Sequence, residues 1–209
     1  MDPILDVRFY ASELGAEPVR DWLKQLAAAD RRRIGEDIKT VQFGWPLGMP
    51  VVRNLGGGLW EGTDQTRKPH SAGPIRSGRL YFGVASWLYQ EVTGHAAGRL
   101  GFGQGSAQTV AQEMTMGKKN IGSSFDDFLD EEAMLEESTA VAIKRVIAWQ
   151  IAEEMQAQHL TKTALAKKMR TSRAALNRLL DENDASLTLT TLASAAAALG
   201  KKIDLRLAA

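Results

Sequence analysis

The chain has 209 residues, of which 44% are hydrophobic and 24% charged, as is typical of a folded water-soluble protein. It contains no cysteine, which excludes disulfides and thiolate metal ligands and fits a cytoplasmic protein. It shows neither an apolar run that could span a membrane nor a secretory signal, so we expect no membrane partner.

The net charge of +1 hides an uneven distribution. Residues 126–137 carry seven acidic side chains and no basic one, whereas residues 162–178 carry six basic side chains and no acidic one. A dense basic segment is typical of nucleic-acid binding, although a solvated helix face has the same composition. Charge alone therefore favours the solvated face, and nucleic-acid binding needs further evidence.

Residues 1–61 have clear local patterns. Alternation over residues 6–11 predicts a strand. Pro18 suits the first position of a helix that runs to about residue 26, and Asp30 can cap a second helix that runs to about residue 41. Residues 51–61 read as one or two strands around a glycine turn.

The pattern dissolves between residues 62 and 115, where we expect irregular structure. Only Leu80 to Leu88 has the apolar density of a strand. The glycine-rich GFGQGS at 101–106 lacks the spacing and flanking elements of a phosphate-binding loop. The three histidines have no ligand partners at metal-binding spacing, so we expect no cofactor and no metal.

Order returns near Met116. Ser123 or Ser124 can cap a short acidic helix over 125–135, and a long amphipathic helix follows over about 138–159. Three shorter helices are predicted over 162–169, 172–180 and 188–199, the last one stopped by Gly200. Ile203, Leu205 and Leu207 then alternate with polar residues, as in a half-buried strand.

Residues 162–181 match a helix-turn-helix pattern. Leu165, Ala166 and Met169 form the inner face of the first helix, and Ala166 is small enough for the second helix to cross closely. Arg170 stands where such turns usually have glycine. The substitution makes the turn conformation less favourable and adds a positive charge. A helical hairpin that only packs would show a similar apolar spacing. The predicted DNA-contacting residues are Lys162 and Thr163 for phosphates, and Ser172, Arg173, Asn177 and Arg178 for base edges.

Four stretches between Met116 and Leu207 carry a family resemblance: IGSSFDDFLDEE at 121–132, AIKRVIAWQI at 142–151, LAKKMRTSRAALNRLLD at 165–181 and TLTTLASAAAALGKKIDLRL at 188–207. This region resembles the XRE-type antitoxins that partner HigB toxins. The resemblance implies a dimeric, operator-binding repressor that also neutralises a toxin. The alternating C-terminal strand would offer an edge for a homodimer.

Residues 7–61 resemble the other partner. VRFYASELGAEPVRDWLKQL, RRRIGEDIKTVQFGWPLGMPVVRNL and GLWE are similar to phage-derived toxins of the RelE and HigB class. That class implies a small α/β protein that cleaves mRNA, usually on the ribosome. The working basic residues of the family lie largely after the LWE strand, and this chain does not continue in the family pattern. We therefore assign no catalytic residue.

A frameshift in the gene would explain why residues 62–115 lack a regular pattern. With one shift of the reading frame, codon choices exist that turn GTDQT into VRTRL, HSAGPIR into IARVLFA and VASWLYQE at 84–91 into LLHGFIKK, all of them family motifs in family order. We interpret this as a shift near Glu61 that bypassed the toxin's stop and entered the antitoxin frame at about Met114 or Met116. The expected units are residues 1–61, 62–115 and 116–209.

The expected fold is α+β: a truncated RelE-like α/β half, an irregular middle, and an all-α helix-turn-helix domain of XRE type with a C-terminal strand. The leading hypothesis is a toxin–antitoxin fusion that acts as a DNA-binding antitoxin and transcriptional autorepressor, with an inactive toxin half. Its partners would be operator DNA, a second copy and a HigB-type toxin. A live mRNA-cleaving enzyme fused to its inhibitor, and an antitoxin that binds a toxin without binding DNA, are the alternatives.

Overall fold

A computed structural model describes residues 2–45, 52–56, 59–62, 78–83, 87–92, 121–181, 184 and 186–204. These residues form six strands: β1 Arg8–Tyr10, β2 Val52–Gly56, β3 Leu59–Gly62, β4 Gly78–Gly83, β5 Trp87–Val92 and β6 Ile121–Ser124. They also form seven helices: α1 Pro18–Gln25, α2 Ala28–Gly44, α3 Phe125–Glu131, α4 Leu135–Ala157, α5 Lys162–Lys168, α6 Arg173–Leu180 and α7 Leu189–Leu199.

The strands form one sheet in the order β2-β3-β4-β5-β1-β6. All neighbours are antiparallel except β1 and β5, which pair in parallel with Arg8 opposite Trp87. β4 and β5 lie inside the stretch expected to be irregular, and they overlap the one strand-like segment predicted there, residues 80–88. The structure gives two strands in place of one, and residues 89–92 of β5 lie beyond the prediction. Their aromatic residues favour strands, and β5 finds its partner in β1 far back along the chain, which local periodicity cannot reveal.

The first two helices begin close to the predicted positions. α1 begins at Pro18, as predicted, and buries Val19 and Leu23. α2 begins at Ala28, so Asp30 lies in its first turn and the prediction that it caps this helix is wrong; the helix buries Ile38 and Val41. Both helices therefore turn an apolar side toward a core that also contains Phe9 of β1, as their helical spacing indicated.

β6 is fixed to the start of α1 as well as to β1. The Glu17 carboxylate, just before α1, accepts hydrogen bonds from the backbone N–H of Ser123 and from its hydroxyl, the latter at 2.7 Å. Ser124 caps α3, because its hydroxyl oxygen accepts from the Asp126 N–H at 3.1 Å. Of the two candidate caps, the structure thus selects Ser124.

One core unites residues 7–41 with residues 125–134. The Phe9 ring centroid lies 5.7 Å from that of Phe125 and 5.5 Å from that of Phe128, both edge-on. The buried members of this core are Val7, Phe9, Val19, Leu23, Ile38, Val41, Phe125, Phe128, Leu129 and Met134. Residues 121–134 therefore pack as part of the N-terminal core, and the division at residue 116 stays a prediction.

α4 joins this core to the C-terminal helices. It is a single helix of 23 residues, about 34 Å long at 1.5 Å per residue. Ala142 and Val146 pack with Phe43 of α2, whereas Ile151 and Met155 belong to the core of the C-terminal helices. A continuous helix of this length connects the two cores without a flexible joint.

Ion pairs join α1 and α2 to residues 126–137. Arg20 contacts Glu131 at 2.5 Å, Arg32 contacts Glu137 at 2.9 Å, and the buried Lys39 ammonium contacts Asp126 at 3.0 Å. The acidic run that the sequence shows at 126–137 thus faces basic side chains of α1 and α2. The exposed pair Arg32–Glu137 contributes about 0–1 kcal/mol.

The C-terminal end is described as far as Asp204. Gly200 ends α7 with a positive φ of 71°, which confirms the predicted left-handed cap. Residues 201–204 are not in a strand, so the predicted C-terminal strand does not include them. Leu205 and Leu207 lie outside the described residues. Across the described ranges, every helix is too short or too polar to cross a membrane, and acidic and histidine side chains form no group that could hold a metal ion.

Candidate nucleic-acid interface

α5 and α6 pack through the small apolar face that the spacing predicted. Leu165 and Leu176 are fully buried, and Ala166 between them is 4% exposed. Ile151 and Met155 of α4 and Ala195 and Leu199 of α7 complete this core. The short α5–α6 unit is therefore held from two sides by longer helices.

A tight turn connects α5 to α6. The Thr171 N–H donates to the Ala166 carbonyl at 3.0 Å, and the Arg170 N–H donates to the Lys167 carbonyl at 3.1 Å. This pair of hydrogen bonds is the Schellman motif, which requires a left-handed residue at its centre. Arg170 supplies it with φ of 53°.

A serine fixes the beginning of α6. The Ser172 hydroxyl oxygen accepts from the Ala175 N–H at 3.1 Å, and Thr161 caps α5 in the same way through the Ala164 N–H. Ser172 is therefore the N-cap of α6. Its hydroxyl hydrogen remains able to donate to another acceptor.

The comparison with protein families decides the nature of this unit. The family described as "Helix-turn-helix domain" matches residues 127–208, from within α3 to beyond α7. Residues 127–208 form a helix-turn-helix domain. This confirms the helix-turn-helix predicted at 162–181. No match is found among curated proteins or among solved structures.

In this helix-turn-helix domain, all six predicted DNA-contacting residues are exposed. Lys162 and Thr163 lie at the start of α5, and the other four, Ser172, Arg173, Asn177 and Arg178, lie at or within α6. Arg173 and Asn177 are four residues apart, which places them on the same side of α6. Within the part of the chain that the structure describes, no side-chain hydrogen bond or ion pair engages either of them.

Lys144 is a residue that sequence reasoning missed. It is 3% exposed, and its ammonium donates to the Arg178 carbonyl at 3.3 Å, in the last turn of α6. A cation there stabilises the carbonyl end of the helix dipole. The neighbouring Arg145 contacts Glu36 at 3.0 Å and Asp37 at 2.8 Å on α2. Two adjacent residues of α4 therefore contact the end of α6 and α2, respectively.

The loop after α6 carries an acidic group close to the same helix end. The Ser186 hydroxyl and N–H, with smaller effects from Lys144 and Arg178, hold the pKa of Asp184 below its usual range. Asp184 is thus charged at neutral pH and offsets part of the positive charge near the end of α6. The beginning of α6, around Arg173, is the more positive end.

Replacing the α6 cap tests how firmly that helix is held. Ser172→Ala should lower the free energy of unfolding by about 1 kcal/mol, because the Ala175 N–H loses its acceptor. Urea titration measures this change, and amide hydrogen exchange should rise most in the first turn of α6. Ser172→Thr is the matched control, since threonine also caps helices. An Ala variant as stable as the wild type would show that the cap contributes nothing.

Proposed function

We propose that this protein binds specific DNA sequences through α6 and represses transcription. The observation that carries the proposal is the exposed pair Arg173 and Asn177 on one side of a capped helix in a helix-turn-helix domain. Arginine pairs with the O6 and N7 atoms of guanine, and asparagine with the N6 and N7 atoms of adenine. An α-helix that presents both on one exposed side suits the major groove.

The start of α5 supplies the phosphate contacts in this proposal. Lys162 and Thr163 are exposed there, and residues 162–178 carry no acidic side chain. Phosphate contacts of this kind set the orientation on the duplex without reading its sequence. Lys162 and Thr163 would therefore position α6, and Ser172, Arg173, Asn177 and Arg178 would read the bases.

The N-terminal half takes the role of an internal partner in this proposal. Phe125, Phe128 and Leu129 are at most 1% exposed, because residues 7–41 cover them. In the antitoxin resemblance, these residues belong to the antitoxin, and residues 7–61 belong to a toxin. We infer that the toxin-like half has no RNA-cleaving activity and that the segment 121–137 is engaged within the chain rather than with a separate toxin.

A second copy completes the proposed assembly. Helix-turn-helix proteins that bind palindromic sites do so as dimers, with one helix from each copy in successive major grooves. Ile203, near the end of the described residues, is an exposed apolar side chain at 38%. It precedes Leu205 and Leu207, which the sequence pattern assigns to the strand of the proposed dimer. Sedimentation of the full chain should give a dimer; a monomer that still binds DNA with full affinity would contradict this part.

The salt dependence of binding tests the phosphate contacts. Lys162→Ala should weaken binding to every duplex about fivefold at 0.15 M salt and reduce the slope of log K against log salt by about 0.9. Fluorescence anisotropy with duplexes of different sequence measures both quantities. Lys24→Ala, on α1, removes the same charge from the N-terminal half and should leave the slope unchanged. Equal slopes for wild type and Lys162→Ala would place Lys162 away from the DNA.

A further inference from the structure

Three helices end with a non-glycine residue in the left-handed conformation. Among the described residues, Ala133 has φ of 54°, and His159 and Arg170 have φ of 53°. Each occupies the position of the Schellman motif that Gly200, with φ of 71°, occupies after α7. L-residues are disfavoured there because their Cβ crowds the backbone, whereas glycine is not. Three positions thus hold a residue type that disfavours the conformation found there.

Arg170 differs from the other two in its charge and in its surroundings. It is exposed, and within the described residues its guanidinium forms no hydrogen bond or ion pair. Lys167 and Lys168 precede it in the last turn of α5, and Arg173 follows at the start of α6. Arg170 therefore stands in the turn that leads into the positive end of the helix proposed to enter the groove.

We propose that Arg170 is a further DNA-contacting residue, which binds a backbone phosphate beside the beginning of α6. The proposal rests on the DNA binding proposed above. A guanidinium presents several N–H donors in a planar fork that matches phosphate oxygens. A residue in the turn reaches a phosphate near the start of α6, whereas Lys162 lies at the opposite end of α5. The positive φ alone does not carry the proposal, because Ala133 and His159 share it. The proposal rests on the charge of Arg170 beside the beginning of α6.

The decisive variant is Arg170→Gly, because it should change stability and binding in opposite directions. Removing the crowded Cβ should raise Tm by about 2–4 °C. Removing the charge should weaken binding about fivefold at 0.15 M salt and lower the salt slope by about 0.9. A labelled random-sequence duplex of about 30 base pairs, long enough for two half-sites one turn apart, is a sufficient probe. A variant more stable than the wild type cannot lose binding through unfolding.

Two further variants separate charge from backbone. Arg170→Lys keeps the positive charge and the left-handed backbone, so its salt slope and Tm should match the wild type. His159→Gly relieves the same φ of 53° at another exposed site, so Tm should rise while binding stays unchanged. Arg170→Gly with wild-type affinity and slope would overturn the contact while leaving DNA binding intact. A wild-type chain that binds no duplex at low salt would instead overturn DNA binding itself and the Arg170 contact with it.

Discussion

Phe128→Ala should lower the free energy of unfolding of the whole chain by about 3–5 kcal/mol. The Phe128 side chain is 1% exposed, and its ring centroid lies 5.5 Å from that of Phe9 and 6.0 Å from that of Phe125. Truncation removes the favourable transfer free energy of the ring and leaves a cavity in the core that residues 7–41 share with residues 125–134. The helix content and the tryptophan fluorescence should therefore be lost together, at a lower denaturant concentration.

Tryptophans report on this core from both sides. Trp22 of α1 and Trp149 of α4 pack against it, so their fluorescence reports the unfolding of this core. Phe128→Leu is the matched control, since it keeps most of the apolar volume and should cost about 1.5 kcal/mol or less. Two separate transitions, of which Phe128→Ala shifts only one, would contradict a shared core.

Arg173→Ala should weaken binding to the preferred sequence about 5- to 150-fold, equivalent to about 1–3 kcal/mol. Arg173 is exposed at the first position of α6, which the Ser172 cap and the α5 contacts hold in place. If its guanidinium pairs with a guanine, removing it also relaxes the preference at that base pair. Competition between preferred and random duplexes separates the loss of affinity from the loss of preference.

The matched control for this variant is Arg33→Ala. Arg33 is an exposed arginine of α2, so its removal changes the net charge equally and leaves the sequences of α5 and α6 unchanged. Its affinity for both duplexes should equal that of the wild type. If Arg173→Ala weakens both duplexes to the same extent, Arg173 contacts phosphate rather than a base; if it weakens neither, α6 is not the recognition helix.

Features that depend on residues a few positions apart were predictable from the sequence. Pro18 begins α1, Ser124 begins α3 and Gly200 ends α7, because helix ends are set by local hydrogen bonds and local φ preferences. The inner face of α5 and α6 followed from apolar spacing for the same reason. These rules locate the helix-turn-helix domain without any knowledge of its surroundings.

Features that depend on distant pairing were not predictable in this way. β5 was missed as a separate strand because its parallel partner β1 lies at the other end of the N-terminal half. The acidic run at 126–137 gave no sign that Arg20 or Lys39 would face it. Lys144 looked like any solvated lysine of an amphipathic helix, and only packing buries it against the end of α6.

The most direct test of DNA recognition by α6 is a selection of the full chain against a library of random duplexes. Enriched sequences should form a palindrome whose half-sites are about 34–36 Å apart, one helical turn, as two copies of α6 would require. The same selection with Arg173→Ala should lose the preference at one base pair of each half-site. A library that shows no enriched sequence, or one whose enriched sequence is unchanged by Arg173→Ala, would contradict sequence-specific recognition through this helix.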